Sequence, residues 1–569
     1  MIVSAFPFLL IFRSPVASNS PLNLDPDFLK LCLATPNCSP ISPPPTLVFF
    51  PKASIFAKLD VDGSSDPSRL TNYYPAAYKD FYGLPSNPPC VYKSGPAWRE
   101  RTGPESYRII REVCPVYDHP IADQWHALGT SIYQLLDSHA VKWTSIDPVA
   151  IAEQGQAQPF CPLLMWIGVY PQSLLYPAAV AAAEAIKEVL AQAGFPEIEV
   201  AFRESVVTRS VGALGGPKLL PFNPLRDPVP ELLKPFTLTL VLSIAPLKTP
   251  YYEGTGALYF RLGSAEKRTV LLTAAHVARP TPALTNTGVL SEPAEGEEEE
   301  DEETTERRQE YVDLVANAKK KIEKIDKLHS DVTKLRTLPA HRTIGFVLHV
   351  EPIAVSDSDG PHKFTRDWAL VELYEDKIDW GSFKGNQVYI GGNLSSFDWA
   401  RIMFPRPEDQ VGYKYPRDGL LQASGVVDEK EIRLPQQRDA QGDRCLHVVK
   451  NGLGTGTTVG RVNGLDSFTR VYTEYEYGTF EEPSVEGAVL PVPVPSCDGN
   501  FKKRGAFSAS GDSGAIVLER GGGIVGMITG GCGASPTDEH DIAYVTPYWW
   551  LDEQIKKVFP ESYLYEVVQ

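Results

Sequence analysis

Hydrophobic and polar positions change their spacing several times along the chain, and each change marks an element. Pro162–Val169, PLLMWIGV, is continuously apolar and of strand length, as expected for a strand buried on both faces. AAVAAAEAIKEVLAQ follows, with Pro177 suited to a first helical turn and Gly194 and Pro196 as stop signals, so a helix is predicted. Glu197–Phe202 then alternates as a strand does. Strand, helix and strand at this spacing predict a βαβ unit within a small α/β domain over 76–210. No phosphate-cradling glycine loop lies between strand and helix, so a nucleotide site is not supported and an accessory or interaction role is expected.

Beyond the proline-rich linker at 211–235 the pattern becomes one of short strands. Thr237–Ile244, Gly254–Leu262 and Thr269–His276 are separated by turn signals, which predicts an antiparallel barrel or sandwich for 236–569. An insertion at 285–340 interrupts it. Eleven Asp and Glu fall between Glu292 and Glu310, a density that repels itself and stays solvated. Val315, Ala318, Ile322, Ile325 and Val332 then mark one face of an amphipathic helix over 312–336. That helix either packs on its own domain or offers a surface for a partner or for self-association. Residues 1–75, rich in Pro, Ser and Asn, bury little and are expected to be largely disordered. The opening MIVSAFPFLLIF has the length of a signal-peptide core, but Pro7 and the lack of a preceding Lys or Arg argue against secretion.

Composition narrows the function classes. A net charge of −17 without a long basic stretch disfavours nucleic-acid binding, and no apolar run of membrane-spanning length is present. Eight scattered cysteines without a C-x-x-C pair suggest neither a zinc knuckle, a redox motif nor a disulfide scaffold. No cofactor or metal is expected. Free thiols favour a cytoplasmic or nuclear location, with secretion as the alternative.

Three local sequences carry chemistry. LTAAH ends at His276, where two alanines let an imidazole lie close to the backbone at the end of a strand; histidine changes charge near neutral pH, as a general base must. Asp367 opens the strand DWALVEL, from which a carboxylate can take the Nδ1–H of an imidazole and fix its tautomer. In SASGDSGA, glycines on both sides of Ser513 permit a tight turn that projects its hydroxyl. The Gly511 and Ser513 N–H groups can there face a developing oxyanion. The first two signals alone have bland readings, a core or rim histidine and a turn aspartate, and the third makes chemical sense only with a histidine to take the serine proton.

Together, TAAH, DWALVEL and GDSG resemble the trypsin/chymotrypsin superfamily of serine peptidases, in its order of His, Asp and Ser. The resemblance covers roughly 236–557. Gly254-Thr-Gly256 is similar to the strand that leads to the catalytic histidine, and Lys450–Gly460 to a second-barrel hairpin of bacterial members. Val525–Gly531 resembles the strand that holds substrate backbone, and Tyr544–Pro547 with WWLDEQIKKVF the closing strand and C-terminal helix. The chain departs from secreted members at Val277, where a cysteine is common, and at Ala515, where glycine follows GDSG. The usual disulfides are therefore missing, as in bacterial and fungal types.

The resemblance implies a multidomain protein whose C-terminal part is an all-β double six-stranded antiparallel barrel with a helical insertion. It further implies a serine endopeptidase acting on protein or peptide, with His276, Asp367 and Ser513 as triad and Gly511 and Ser513 as oxyanion hole. Phe507, Thr529 and Gly531 are the corresponding candidates for substrate binding. Because Phe507 is not acidic, preference for Arg or Lys beside the cleaved bond is not expected. Asp512 matches a carboxylate that in trypsin-like members pairs with a new N-terminus. Here it needs either processing within Val211–Pro235 or an internal cation, for which Arg504 is the nearby candidate. The alternative function is a catalytically silent scaffold that binds partners through the N-terminal domain and the insertion. A zymogen silenced by its N-terminal half is compatible with the enzyme.

Overall fold

Strand pairing crosses the sequence boundary near residue 210. The computed structural model describes residues 2–3, 72–99, 111–209, 242–280, 289–290, 343–492, 505–534 and 539–567, apart from short breaks within those spans. The N-terminal proline-rich segment over 4–71, the linker at 211–235, the acidic run and the 312–336 helix lie outside them.

The βαβ unit forms as the pattern predicts. The front part of the chain contains β1 (Cys90–Lys93), β2 (Arg111–Cys114), α1 (Trp125–Ser138), β3 (Trp143–Glu153), β4 (Cys161–Val169), α2 (Tyr176–Gln192), β5 (Glu199–Glu204) and β6 (Val206–Thr208). β4 and β5 pair in parallel from Leu164↔Glu199 to Val169↔Glu204, with α2 as the crossover. Pro177 is in the first turn of α2, and Ala179, Ala182, Ala183, Ile186 and Leu190 are its buried stripe. Each of the two large members of that stripe is worth about 1.5–3 kcal/mol of apolar transfer. Gly194, at φ +95°, ends the helix in a left-handed conformation that a side chain would disfavour.

A first antiparallel set of strands comprises β7 (Tyr259–Arg261), β8 (Thr269–Thr273), β9 (Val289–Leu290), β10 (Gly345–Val350), β11 (Ala369–Leu373) and a late strand, Tyr563–Leu564. They form one antiparallel six-stranded sheet in the order β9-β10-β11-β8-β7-(563–564). The second set comprises β12 (Leu446–Gly452), β13 (Gly456–Val462), β14 (Ser467–Thr469), β15 (Ser484–Pro491), β16 (Ile516–Glu519), β17 (Ile524–Gly533) and β18 (Ile542–Pro547). The order β15-β13-β12-β16-β17-β18 returns to β15 through Gly487↔Val545, which closes a six-stranded antiparallel barrel. The hairpin read at Lys450–Gly460 is β12–β13, and the closing strand and helix are β18 and α3 (Tyr548–Val558). One apolar cluster, including Leu271, Val371, Val449, Ile516 and Met527, joins the open sheet to the closed barrel.

The front α/β sheet continues into that barrel. Ser145 and Ile146 of β3 pair with Thr469 and Phe468 of β14, which in turn pairs with β15. Gly129 lets α1 lie flat on β14, since a Cβ there would collide with the Phe468 ring. Trp125 Nε1 donates to Asp466 O at 2.7 Å. Behind the junction Arg203 is fully buried: its Nη2 donates to Asp147 Oδ2 at 2.8 Å and its guanidinium lies 3.2 Å from the centre of the Trp166 ring. Asp147 Oδ1 accepts from Ser467 Oγ at 2.6 Å and Tyr544 Oη at 3.0 Å, so one ion pair ties the front sheet to β14 and to barrel strand β18. The five described cysteines, Cys90, Cys114, Cys161, Cys445 and Cys532, are all unpaired thiols. Among the described residues no helix is long and apolar enough to cross a membrane.

Candidate active site

His276 lies in a single helical turn, Ala275–Ala278, directly after β8. Ala274 and Ala275 are fully buried, so the small side chains read from the sequence allow the turn to press into the core. Asp367 precedes β11, the neighbour of β8 through Thr273↔Ala369, which brings the two residues side by side. The carboxylate grips the histidine at two points: His276 Nδ1 lies 2.6 Å from Oδ2, and the His276 backbone N–H donates to Oδ1 at 3.1 Å. A third group, absent from the sequence-based set, is Arg209, whose Nη1 donates to the same Oδ2 at 2.5 Å. Burial pushes the Asp367 carboxyl up, but the His276 and Arg209 charges and the two hydrogen bonds outweigh it and hold the group well below the usual carboxylate range.

Ser513 stands two residues after Gly511, which adopts φ +96°, and directly before Gly514 at φ +87°. A Cβ on Gly514 would collide with Thr255 O, so the turn is packed against the Gly254–Thr255 strand and only glycine fits. Thr255 N donates to Ser513 O at 2.8 Å, and Thr273 Oγ1, three residues before His276, donates to Thr255 O at 2.9 Å. These contacts bring the Ser513 turn to the His276 strand end. Ser513 Oγ donates to Thr529 O at 3.4 Å, while His276 Nε2 is buried with no hydrogen-bond partner among the described residues. The serine–histidine hydrogen bond is therefore not made in this form. Neither the Gly511 nor the Ser513 N–H donates to a backbone carbonyl among the described residues.

Asp512 finds an internal cation, and it is Lys450. Nζ lies 2.9 Å from Oδ2, and both side chains are 0% exposed. The same carboxylate accepts from Gly454 N at 2.7 Å, Thr455 N at 3.2 Å, Thr455 Oγ1 at 2.8 Å and Ala509 N at 3.0 Å. Burial pushes the Lys450 ammonium down, and Asp512 opposes it. Arg504 lies outside the described residues.

Of the substrate-binding candidates, Thr529 offers its carbonyl to Ser513, and Gly531 stands two residues further along β17. Phe507 belongs to the barrel's own apolar cluster with Val489, Val517 and Val545. Its neighbour Ser508 places Oγ 2.9 Å from His540 Nδ1, and the His540 ring fills the space where a Cβ on Gly531 would be. Sequence reasoning passed over this buried Ser508–His540 pair because His540 carries no motif. Glu486 lies fully buried on β15 with Thr365 Oγ1 donating to Oε1 at 2.5 Å; burial pushes its carboxyl up to about 8.

No protein-family model matches the chain, and no curated protein matches it in sequence.

Proposed function

We propose that the chain is a serine endopeptidase in which Ser513 is the nucleophile, His276 the general base and Asp367 the residue that orients it. The observation that carries this reading is the two-point grip of Asp367 on His276, with Nδ1 and the backbone N–H both bound, because it leaves Nε2 as the basic nitrogen. A rotation of the Ser513 side chain away from Thr529 O would bring its hydroxyl toward that nitrogen. His276 then takes the hydroxyl proton as Oγ adds to a peptide carbonyl, the Gly511 and Ser513 N–H groups hold the oxyanion, and the proton passes to the leaving amine. Water hydrolyses the acyl-enzyme by the same path in reverse.

The same reading makes the six-stranded sheet beside His276 and Asp367 the companion barrel of the closed one that carries Ser513. It assigns Lys450 the task of neutralising Asp512, so that the turn before Ser513 assembles without a processed N-terminus. A reducing compartment accords with the unpaired cysteines.

A silent scaffold would equally show Ser513 turned to Thr529. A fluorophosphonate probe decides between the two readings. Covalent labelling of the wild-type chain, abolished in Ser513→Ala and reduced at least about a hundredfold in His276→Ala, is expected for the enzyme. Folded wild-type protein that takes no label at pH 8 refutes it.

A further inference from the structure

The edge of β17 that leads away from Ser513 is covered by this chain itself. β16 pairs with β17 only as far as Met527, opposite Ile516. Beyond that point β18 holds one edge, through Gly530↔Tyr544 and Gly531↔Ala543, and the barrel leaves the other edge open. β6 takes the open edge, antiparallel, with Val206 opposite Gly533, Val207 opposite Cys532 and Thr208 opposite Gly531.

Direction and position both matter here. Ser513 Oγ lies against Thr529 O, so an extended peptide delivering a carbonyl to that hydroxyl must run past Thr529 along β17. β6 runs toward the same point, from Gly533 to Gly531. Thr208 O and Arg209 Cα lie 2.6 and 3.7 Å from where a Cβ on Gly530 would be, so the backbone passes over Gly530, the residue next to Thr529. Gly530 has no side chain to obstruct it. The Arg209 guanidinium then reaches Asp367 Oδ2, the oxygen that also binds His276 Nδ1. Glu486, whose buried carboxyl also feels the Arg209 charge, adds a second acidic group near that guanidinium.

We propose that Val206–Arg209 is a built-in occupant of the place where the acyl half of a substrate binds. Peptide binding is thereby blocked in cis while a small fluorophosphonate still reaches Ser513, and the peptides that replace this strand carry a β-branched residue followed by a basic one. The inference rests on the serine-peptidase reading above. An extended strand supplies main-chain hydrogen bonds to any sequence, and its side-chain slots supply selectivity; here the last slot faces the Asp367 carboxylate. A tethered occupant acts at an effective concentration on the order of millimolar, so micromolar peptide displaces little of it.

The test compares full-length wild type, Arg209→Ala and Arg209→Glu, matched for melting temperature. Three readouts are needed: fluorophosphonate labelling of Ser513, hydrolysis of Val-Val-Thr-Arg-Ser and Val-Val-Thr-Glu-Ser peptides carrying a C-terminal fluorogenic amide, and inhibition by free acetyl-Val-Val-Thr-Arg amide. Loss of a charge-assisted contact should raise hydrolysis about tenfold in Arg209→Ala and further in Arg209→Glu. The arginine peptide should be the better substrate and its amide should inhibit. Equal hydrolysis in all three proteins, with Ser513 labelled in each, overturns the inference and leaves the peptidase reading standing. Absence of label in every folded form overturns both. Should the variants not fold, amide exchange at Thr208 and Gly531 in the wild type decides instead. Faster Thr208 exchange in excess arginine peptide supports displacement, and unchanged exchange at saturating peptide refutes it.

Discussion

Replacing Lys450 by methionine keeps the length of the side chain and removes its charge. In the wild type the ammonium lies 2.9 Å from Asp512 Oδ2 with both groups out of solvent. At the effective dielectric of about 20 that suits buried pairs, two unit charges at this separation attract by roughly 6 kcal/mol. Part of that returns because an ammonium no longer has to be desolvated, so the single change should destabilise by about 3–5 kcal/mol. The four other hydrogen bonds to the Asp512 carboxylate place the cost toward the lower end. Asp512→Asn alone strands the ammonium and should cost a similar amount. The double variant buries no charge and should be less destabilised than the sum of the two by at least about 2 kcal/mol. Urea denaturation of the four proteins gives the cycle, and fluorophosphonate labelling reports the turn itself, since Asp512 is bonded to Ser513. A Lys450→Met cost below about 1 kcal/mol, or strict additivity in the double variant, would show that Lys450 is not what neutralises Asp512.

Glu486 makes a pH-dependent prediction. Its folded carboxyl titrates at about 8 against an ordinary 4.5, so between those values the folded chain holds a proton that the unfolded chain has released. Stability from this group is present at low pH and is lost as pH rises through that window. Glu486→Gln should therefore gain on wild type between pH 5 and pH 8, by up to a few kcal/mol; a constant difference in melting temperature across that range refutes it. Gly514→Ala, forced to φ +87° against Thr255 O, should cost at least about 1–2 kcal/mol from the dihedral alone and abolish Ser513 labelling. Normal labelling in that variant would show that the turn is not held against Thr255. Arg203→Met leaves Asp147 buried and unpaired and should lower stability by about 3–5 kcal/mol in chemical denaturation, whereas a loss under 1 kcal/mol would mean the pair contributes little.

What could be read in advance was what is encoded locally. The helix at Tyr176–Gln192 and the strands on either side followed from spacing, a first-turn proline and a terminal glycine. His276, Asp367 and Ser513 each stood in a short motif whose neighbours had a reason to be small or apolar. Groups chosen by distant pairing were not legible. Lys450 lies 62 positions from Asp512, within a strand that was recognised only as part of a hairpin, while Arg504 was favoured on sequence proximity. Arg209 lies 158 positions from Asp367, and no pattern in VVTR announces that its strand belongs to a barrel that starts afterwards. The continuation of the front sheet from Ser145 to Thr469 escaped notice for the same reason: an edge strand's partner is decided by what else is left unpaired.

That shared sheet changes what a break in the chain would mean. A protease nick between 210 and 241 would sever the polypeptide without removing a rung of either ladder at Ser145–Thr469 or Thr208–Gly531. The two fragments would remain together through those ladders, the Arg203–Asp147 pair and the grip of Asp541 on Ser86 at 2.9 and 2.6 Å. They would migrate as one species on a sizing column and as two in detergent. Expressing 236–569 alone does the opposite, baring β14 and β17 as unprotected edges that invite other copies to add on. The front 140 or so residues thus behave less like a neighbouring domain than like strands donated in advance to complete their successor.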